Sequence, residues 1–282
     1  MPELPEVETV RRGMRARVVH HKVTAVEVGR ERSVRRVGRE AVIDGLLGTI
    51  ITDVRRRGKY LLCDLDSGDA VMIHLRMSGR VLVCDAGSEH PPHTHVVVHL
   101  AADDGAQSEL LFVDPRTFGE VVVYDPRDEQ AVIPELARLG VDPIEDEFNA
   151  DVLEKVLHGR RGAIKSLLLN QHLVAGIGNI YADEILHRSK LRWSRPADQL
   201  SRRQLSTLAT SITDVLAAAI EAGGSTLDDT QYVNVDGSFG GYQHEHRVYG
   251  RAGEQCVTCG KSRVVRVAVA GRGTWYCPRC QR

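Results

Sequence analysis

No run in this 282-residue chain is apolar for long enough to cross a bilayer, and its first residues lack the basic-then-apolar order of a secretion signal. The expectation is a soluble, cytoplasmic protein without a membrane partner. Cysteine is sparse: there are six, and in a reducing compartment they serve as thiols or metal ligands rather than disulfides. Net charge is almost absent, at −1, which by itself argues against a polyanionic partner. That average conceals an asymmetry, because residues 1–150 carry 19 Lys/Arg against 26 Asp/Glu while residues 151–282 carry 18 against 12. From Cys256 onward there are six Lys/Arg and no acid, a local positive field suited to a phosphate backbone.

The N-terminal half consists of short alternating or apolar runs, HKVTAVEV, TIITDV, YLLCDL, AVMIHL, RVLVCD, HVVVHL, ELLFVD and EVVVYD, separated by turn pieces such as DSGD and ADDG. This is the pattern of an antiparallel β-sandwich or barrel. A helix precedes it, with Pro5 in its first turn and Val7, Val10 and Met14 as an apolar stripe, which leaves Pro2 and Glu3 without a structural task. An acidic, proline-interrupted stretch over 125–149 reads as a linker. Beyond it the period becomes helical, ending in a long helix from about Pro196 to Ala222, with Leu205, Leu208, Ile212, Leu216 and Ile220 on one face. No repeat or low-complexity tract is present.

Two motifs carry chemistry. Cys256 and Cys259, then seventeen residues, then Cys277 and Cys280 form two CxxC pairs. Their spacing suits one structural zinc held by four thiolates, the alternative being redox dithiols. The intervening VVRVAV and TWYC read as a β-hairpin turning at GRG, with Arg272 at its tip, either solvated or brought close to a ligand. The second motif, AGIGNIYADE, has Gly176 and Gly178 before a helix that Asn179 is expected to cap. It reads either as an ordinary capped turn or as a helix N-terminus aimed at phosphate, with Arg160, Arg161 and Lys165 nearby. Cys63 and Cys84 lie in strands and are expected to be buried structural thiols.

PELPE at the start, GIGNIYADE and the cysteine finger together make the chain resemble the formamidopyrimidine-DNA glycosylase/endonuclease VIII family, and PELPEVETVRRG resembles its formamidopyrimidine branch. RRRGKYLL, HLRMSG, DPRTFG and VYGRAGEQC follow in the family's order, so the likeness spans the whole chain. It implies an α+β multidomain protein: an antiparallel β-sandwich with flanking helices (1–124), a linker (125–149), a helix-two-turn-helix domain (150–225), a lesion-covering loop (226–247) and a β-hairpin zinc finger (248–282).

The resemblance also supplies a task for Pro2. Freed of Met1 it is a secondary amine, and an α-amino group with a pKa of about 7.7–8.0 is partly neutral and nucleophilic near pH 7. The family implies attack on the sugar C1′, with Glu3 handling protons at the ring oxygen, Lys59 assisting elimination and Arg272 clamping a phosphate. Glu6 is expected to orient this site and Glu8 to be a solvated helix residue. Met77, Arg116 and Phe118 match the trio that fills the void left by a flipped base, and His74, His93, Arg160, Lys165 and Asn179 are implied to contact phosphates. The implied partner is damaged double-stranded DNA, the cofactor one structural zinc, and the state a monomer with no obligate protein partner. Two departures stand out: Arg76, where the family commonly has glycine, and Asp228-Asp229, where many relatives are basic. Glycines around the covering loop suggest a mobile lid. The alternatives are the endonuclease VIII specificity for oxidised pyrimidines and a non-catalytic DNA-binding protein, the latter disfavoured by Pro2, Glu3 and Lys59.

Overall fold

A computed structural model of the chain describes residues 1–227 and 231–282, so that the Asp228-Asp229 pair lies outside the described residues. Two compact units are present: Met1–Arg138 with Ala222–Gly241, and Leu139–Glu221 with Tyr242–Arg282.

In the first unit, α1 (Leu4–Val18) starts where the proline and glutamates suggest. The Glu6 carboxylate accepts the Glu3 N–H at 2.8 Å, closing a capping box, while Val7, Val10, Met14 and Val18 are buried. Strands β1 (Lys22–Val28), β2 (Ile51–Arg57), β3 (Tyr60–Leu65), β4 (Ala70–His74), β5 (Arg80–Asp85), β6 (Thr94–Ala101), β7 (Gln107–Val113) and β8 (Glu120–Tyr124) match the expected runs. They form two antiparallel sheets, ordered β1-β6-β7-β5 and β2-β3-β4-β8. Alternate residues of both, among them Val23, Val98, Phe112, Val54, Leu61 and Ile73, share one core. The expected sandwich is therefore the one observed. Every residue of β4 and β8 is buried, which explains why AVMIH and EVVVY do not alternate. Helix α2 (Arg39–Leu46) has only Val42 and Leu46 buried, too short a stripe to be legible in the sequence. Two single turns, α3 (Glu129–Val132) and α4 (Pro134–Ala137), lie in the stretch read as a linker.

The glycine-rich segment is packed onto the first unit in its described part. Val83 donates its N–H to the Val235 carbonyl at 2.8 Å, Ser225 N–H reaches the Glu6 carboxylate at 2.7 Å, and Tyr232 and Val235 enter the sandwich core. One of its glycines allows close approach: a Cβ on Gly240 would meet the Gly224 carbonyl at 2.4 Å.

In the second unit, Asn149 caps α5 (Ala150–Leu157) through two backbone N–H groups, and α6 (Ile164–Leu168) and α7 (Asn179–Arg188) follow. The long helix, α8 (Arg202–Glu221), begins later than expected, because Ser201 and Gln204 form a reciprocal capping pair. The finger is a hairpin of β9 (Val265–Val269) and β10 (Arg272–Tyr276). Its turn residues are Ala270 and Gly271, both with positive φ, so Arg272 is the first residue of β10 and not the turn tip. Among the described residues no helix is long and apolar enough to cross a membrane.

Candidate functional site

Pro2 is buried at the start of α1, and its nitrogen stays acylated until Met1, half-exposed, is removed. Glu3 beside it is buried, and Glu6 holds the Glu3 backbone in place through one carboxylate oxygen while the other takes Ser225 N–H. Glu8, expected to be solvated, is instead 3 % exposed. It meets Arg11 at 2.8 Å, Arg12 at 2.9 Å and Arg56 at 3.2 Å. Burial alone raises its pKa, but the hydrogen bonds from Arg11 and Arg12 and the charges of Arg11 and Arg56 more than offset this and hold the carboxyl below its usual range. Sequence reasoning missed Arg56 as well, although it sits in the quoted RRRG. Its guanidinium also donates to the Gly58 carbonyl at 3.0 Å, tying α1 to the turn that carries Lys59. Lys59 lies on the two-residue turn between β2 and β3 and is buried.

His74 ends β4 opposite Tyr60, with ring centroids 4.4 Å apart. Burial first, then the charges of Arg76 and Lys59, push its pKa well below the usual histidine range. The ring is neutral, and because Nδ1 accepts the Arg76 N–H at 2.9 Å, the ring proton is left to Nε2. Arg76 itself has φ 52°, a left-handed conformation that glycine adopts without strain. Its guanidinium lies 3.8 Å from Glu120, a carboxylate also bound by Arg35 and Arg36.

Met77 and Phe118 are each 40 % exposed, and the Arg116 guanidinium stacks 4.9 Å over the Phe118 ring. One buried residue organises both loops: Asp114 accepts from Ser78 Oγ at 2.6 Å, Arg116 N–H at 3.1 Å and Gly119 N–H at 2.7 Å. No motif singled it out, though it is the Asp of the quoted DPRTFG. His93 is exposed with φ 70°.

In the second unit Gly176 turns the chain at φ 86°, and the Gln171 side chain spans the turn, accepting Gly176 N–H at 2.9 Å and donating to the Ile177 carbonyl at 2.8 Å. The helix cap is Gly178, so Asn179 is the first helical residue rather than the cap. Its side-chain nitrogen donates to the Gly273 carbonyl at 3.0 Å. Lys165 is buried, its ammonium 2.7 Å from Asp183 and 2.8 Å from Thr274 Oγ1. Asn179 and Lys165 thus both engage the residues that follow Arg272. Burial pushes Asp183 up to about 7 in spite of Lys165. A cleft of ≈ 310 Å³ lined by Lys165, Asn170, Ala270, Arg272 and Thr274 opens here. Arg160 is exposed at the end of α5, bonded to the Val156 carbonyl.

The four finger cysteines lie with all sulfurs within 4.8 Å of one another, Cys256–Cys280 at 3.9 Å and Cys259–Cys277 at 3.8 Å. A tetrahedron of sulfurs about 2.3 Å from zinc has edges of about 3.8 Å, so the group fits one zinc and leaves no open position. The ion holds the hairpin and supplies no chemistry. Cys63 is buried in the core, its thiol pushed up to about 12 by burial, whereas Cys84 is only part-buried on the outer face of its sheet, contrary to expectation.

Taken together, a sandwich led by Pro2 and Glu3 and a helical unit ending in a four-cysteine finger define a DNA glycosylase of the helix-two-turn-helix, zinc-finger class. Family models agree in order: the formamidopyrimidine-DNA glycosylase N-terminal domain matches residues 1–121, the formamidopyrimidine-DNA glycosylase H2TH domain 139–231, and the zinc finger found in FPG and IleRS 253–282. The formamidopyrimidine-DNA glycosylase of Salinispora arenicola is 44 % identical over 100 % of this chain and 96 % of its own length. A Lactococcus lactis FPG mutant, solved with DNA containing Fapy-dG, superposes with a TM-score of 0.89 at 34 % identity, covering 100 % of both chains. MutM in complex with DNA containing carbocyclic 8-oxo-G gives 0.88 at 35 %, again over 100 % of both. The chain belongs to the formamidopyrimidine-DNA glycosylase family.

Proposed function

We propose that this protein excises oxidised purines, 8-oxoguanine and formamidopyrimidines, from double-stranded DNA and then cleaves the strand at the abasic site. The observation that carries this reading is the buried Pro2–Glu3 start of α1, tied through Glu8 and Arg56 to the turn bearing Lys59.

With Met1 removed, the Pro2 nitrogen attacks C1′ and forms a C–N bond as the glycosidic bond breaks, the base departing with the bonding pair and taking up the proton that the amine gives up. Glu3 protonates the ring oxygen as the sugar opens, leaving an iminium. This cation draws electrons from C2′, whose proton is lost as the C3′–O bond breaks, and a second proton loss releases the 5′ phosphate. Lys59 assists the eliminations, and Arg272, at the head of β10, holds the phosphate beside the lesion. Met77, Arg116 and Phe118 fill the space of the everted base, with Arg116 hydrogen-bonding the orphaned cytosine. His74, through its Nε2–H, contacts phosphate together with His93, Arg160, Lys165 and Asn179, Lys165 doing so from its place beside Asp183. Cys256, Cys259, Cys277 and Cys280 hold the zinc that shapes the finger. The five-part domain division, cytoplasmic location and monomeric action on duplex DNA belong to the same reading.

Borohydride trapping tests it. A duplex containing 8-oxoguanine opposite cytosine is expected to give a covalent adduct, absent in Pro2→Gly and in protein that retains Met1. Full activity with Met1 attached overturns the mechanism. Faster cleavage at thymine glycol than at 8-oxoguanine overturns the purine preference.

A further inference from the structure

Four side chains on one side of α7 grip the rest of the second unit. Asn179 holds the Gly273 carbonyl, Asp183 accepts Trp275 N–H at 2.9 Å, and Glu184 accepts three consecutive N–H groups from Arg247, Val248 and Tyr249. The fourth, His187, is buried, and its Nε2 lies 3.7 Å from Cys256 Sγ, within hydrogen-bond range of sulfur. His187 is not among the residues whose sulfur-ligand atoms cluster, so it stands outside the metal's own ligand set. A zinc-bound thiolate carries lone pairs and no proton, and the only proton on this contact is therefore the imidazole's.

We infer that His187 donates its Nε2–H to the Cys256 sulfur and is a positioning residue of the zinc centre, making that thiolate less reactive toward oxidants and chelators. The inference rests on the zinc reading above. The bond forms out of contact with water, since Cys256 is fully buried in the small cluster of Val248, Cys256, Val264 and Cys277. Withdrawing charge from the sulfur through an N–H donor lowers its nucleophilicity, as outer-shell partners do at metal sites generally. The donor arrives on the helix whose first residue, Asn179, anchors the strand behind Arg272, so the same element supports the metal and the phosphate-facing end of the hairpin.

The test compares wild type with His187→Phe, which keeps a ring but has no donor, and His187→Gln, which restores an N–H. Metal content is measured first, and one zinc per chain is expected for all three. Under hydrogen peroxide, His187→Phe should release zinc to a chromogenic chelator roughly tenfold faster than wild type. His187→Gln should recover most of the protection, and mass spectrometry should place the additional oxidation on Cys256. Nitrogen NMR of zinc-loaded wild type, which needs no variant, should find the proton on His187 Nε2. Equal release rates, or a bare Nε2, overturn the inference. A folded wild-type protein that takes up no zinc overturns the zinc reading itself, a separate outcome.

Discussion

Replacing Glu8 by glutamine removes the carboxylate that faces Arg56, whose side chain is wholly buried, while keeping the shape of the side chain. Breaking a buried ion pair from one side costs about 3–5 kcal/mol, because a desolvated charge is left without its counter-charge. Part of Glu8's pairing is with Arg12, which is half-exposed and worth little, so about 3 kcal/mol is the expected loss. At roughly 2–4 °C per kcal/mol for a unit of this size, the melting temperature falls by roughly 6–12 °C. The pH dependence adds a second signature. Glu8's folded pKa lies below 4.5, so its stabilisation is present above that value and disappears as pH falls through the folded pKa. The gap between wild type and Glu8→Gln should therefore be full at pH 7 and close on acidification below 4.5. Because Arg56 also holds the Gly58 carbonyl, formation of the trapped adduct should slow as Lys59 loses its fixed place. Scanning calorimetry at pH 7 and in acid decides the matter. A variant melting within about 1 kcal/mol of wild type at pH 7, or a gap that persists in acid, would falsify the account of α1 as clamped through Arg56.

Asp114→Asn places an amide nitrogen against one of the donors now bound by the carboxylate, at a cost of about 1–3 kcal/mol. Single-turnover assays should show a larger loss on 8-oxoguanine than on a preformed abasic site, where there is no base to evict; equal losses would remove Asp114 from base eversion. Stripping the zinc should abolish tight DNA binding, since the finger core of Val248, Cys256, Val264 and Cys277 is too small to hold itself, while circular dichroism still reports α8. Undiminished affinity in fluorescence anisotropy on metal-free protein contradicts this. Asp183, raised from 3.8 to about 7, binds its proton more tightly folded than unfolded, so its contribution is complete at low pH and declines as pH rises toward 7. Lys165→Met should raise that pKa further and carry the decline to higher pH, and melting curves that run parallel to wild type across this range refute the pairing.

Much of this protein was readable in one dimension. The eight strands of the sandwich follow from period-two or unbroken apolar runs between turn residues, α1 from a proline, a capping glutamate and a stripe, and the metal site from two tight CxxC turns. Each signal is carried by residues within a few positions of one another, where backbone geometry alone relates them. Helix ends are less legible: the start of α8 depends on whether Ser201 and Gln204 bond each other, and Asn179, a good cap by residue type, is the first helical residue and faces the finger.

The residues that the sequence could not place are those whose partners are remote. Glu8 is buried because Arg56 lies 48 positions away, the segment after α8 is held down because Ser225 meets Glu6 across 219, and Lys165 is engaged because Thr274 sits 109 further on. By itself the sequence determined the eight sandwich strands, α1, the zinc ligands and the nucleophile's chemistry, all of which depend on local spacing and residue type. Only the tertiary structure decided which charges are buried and paired, because the free energy of a charge is set by the solvent it loses and the counter-charge it meets, and neither is written in its neighbours along the chain.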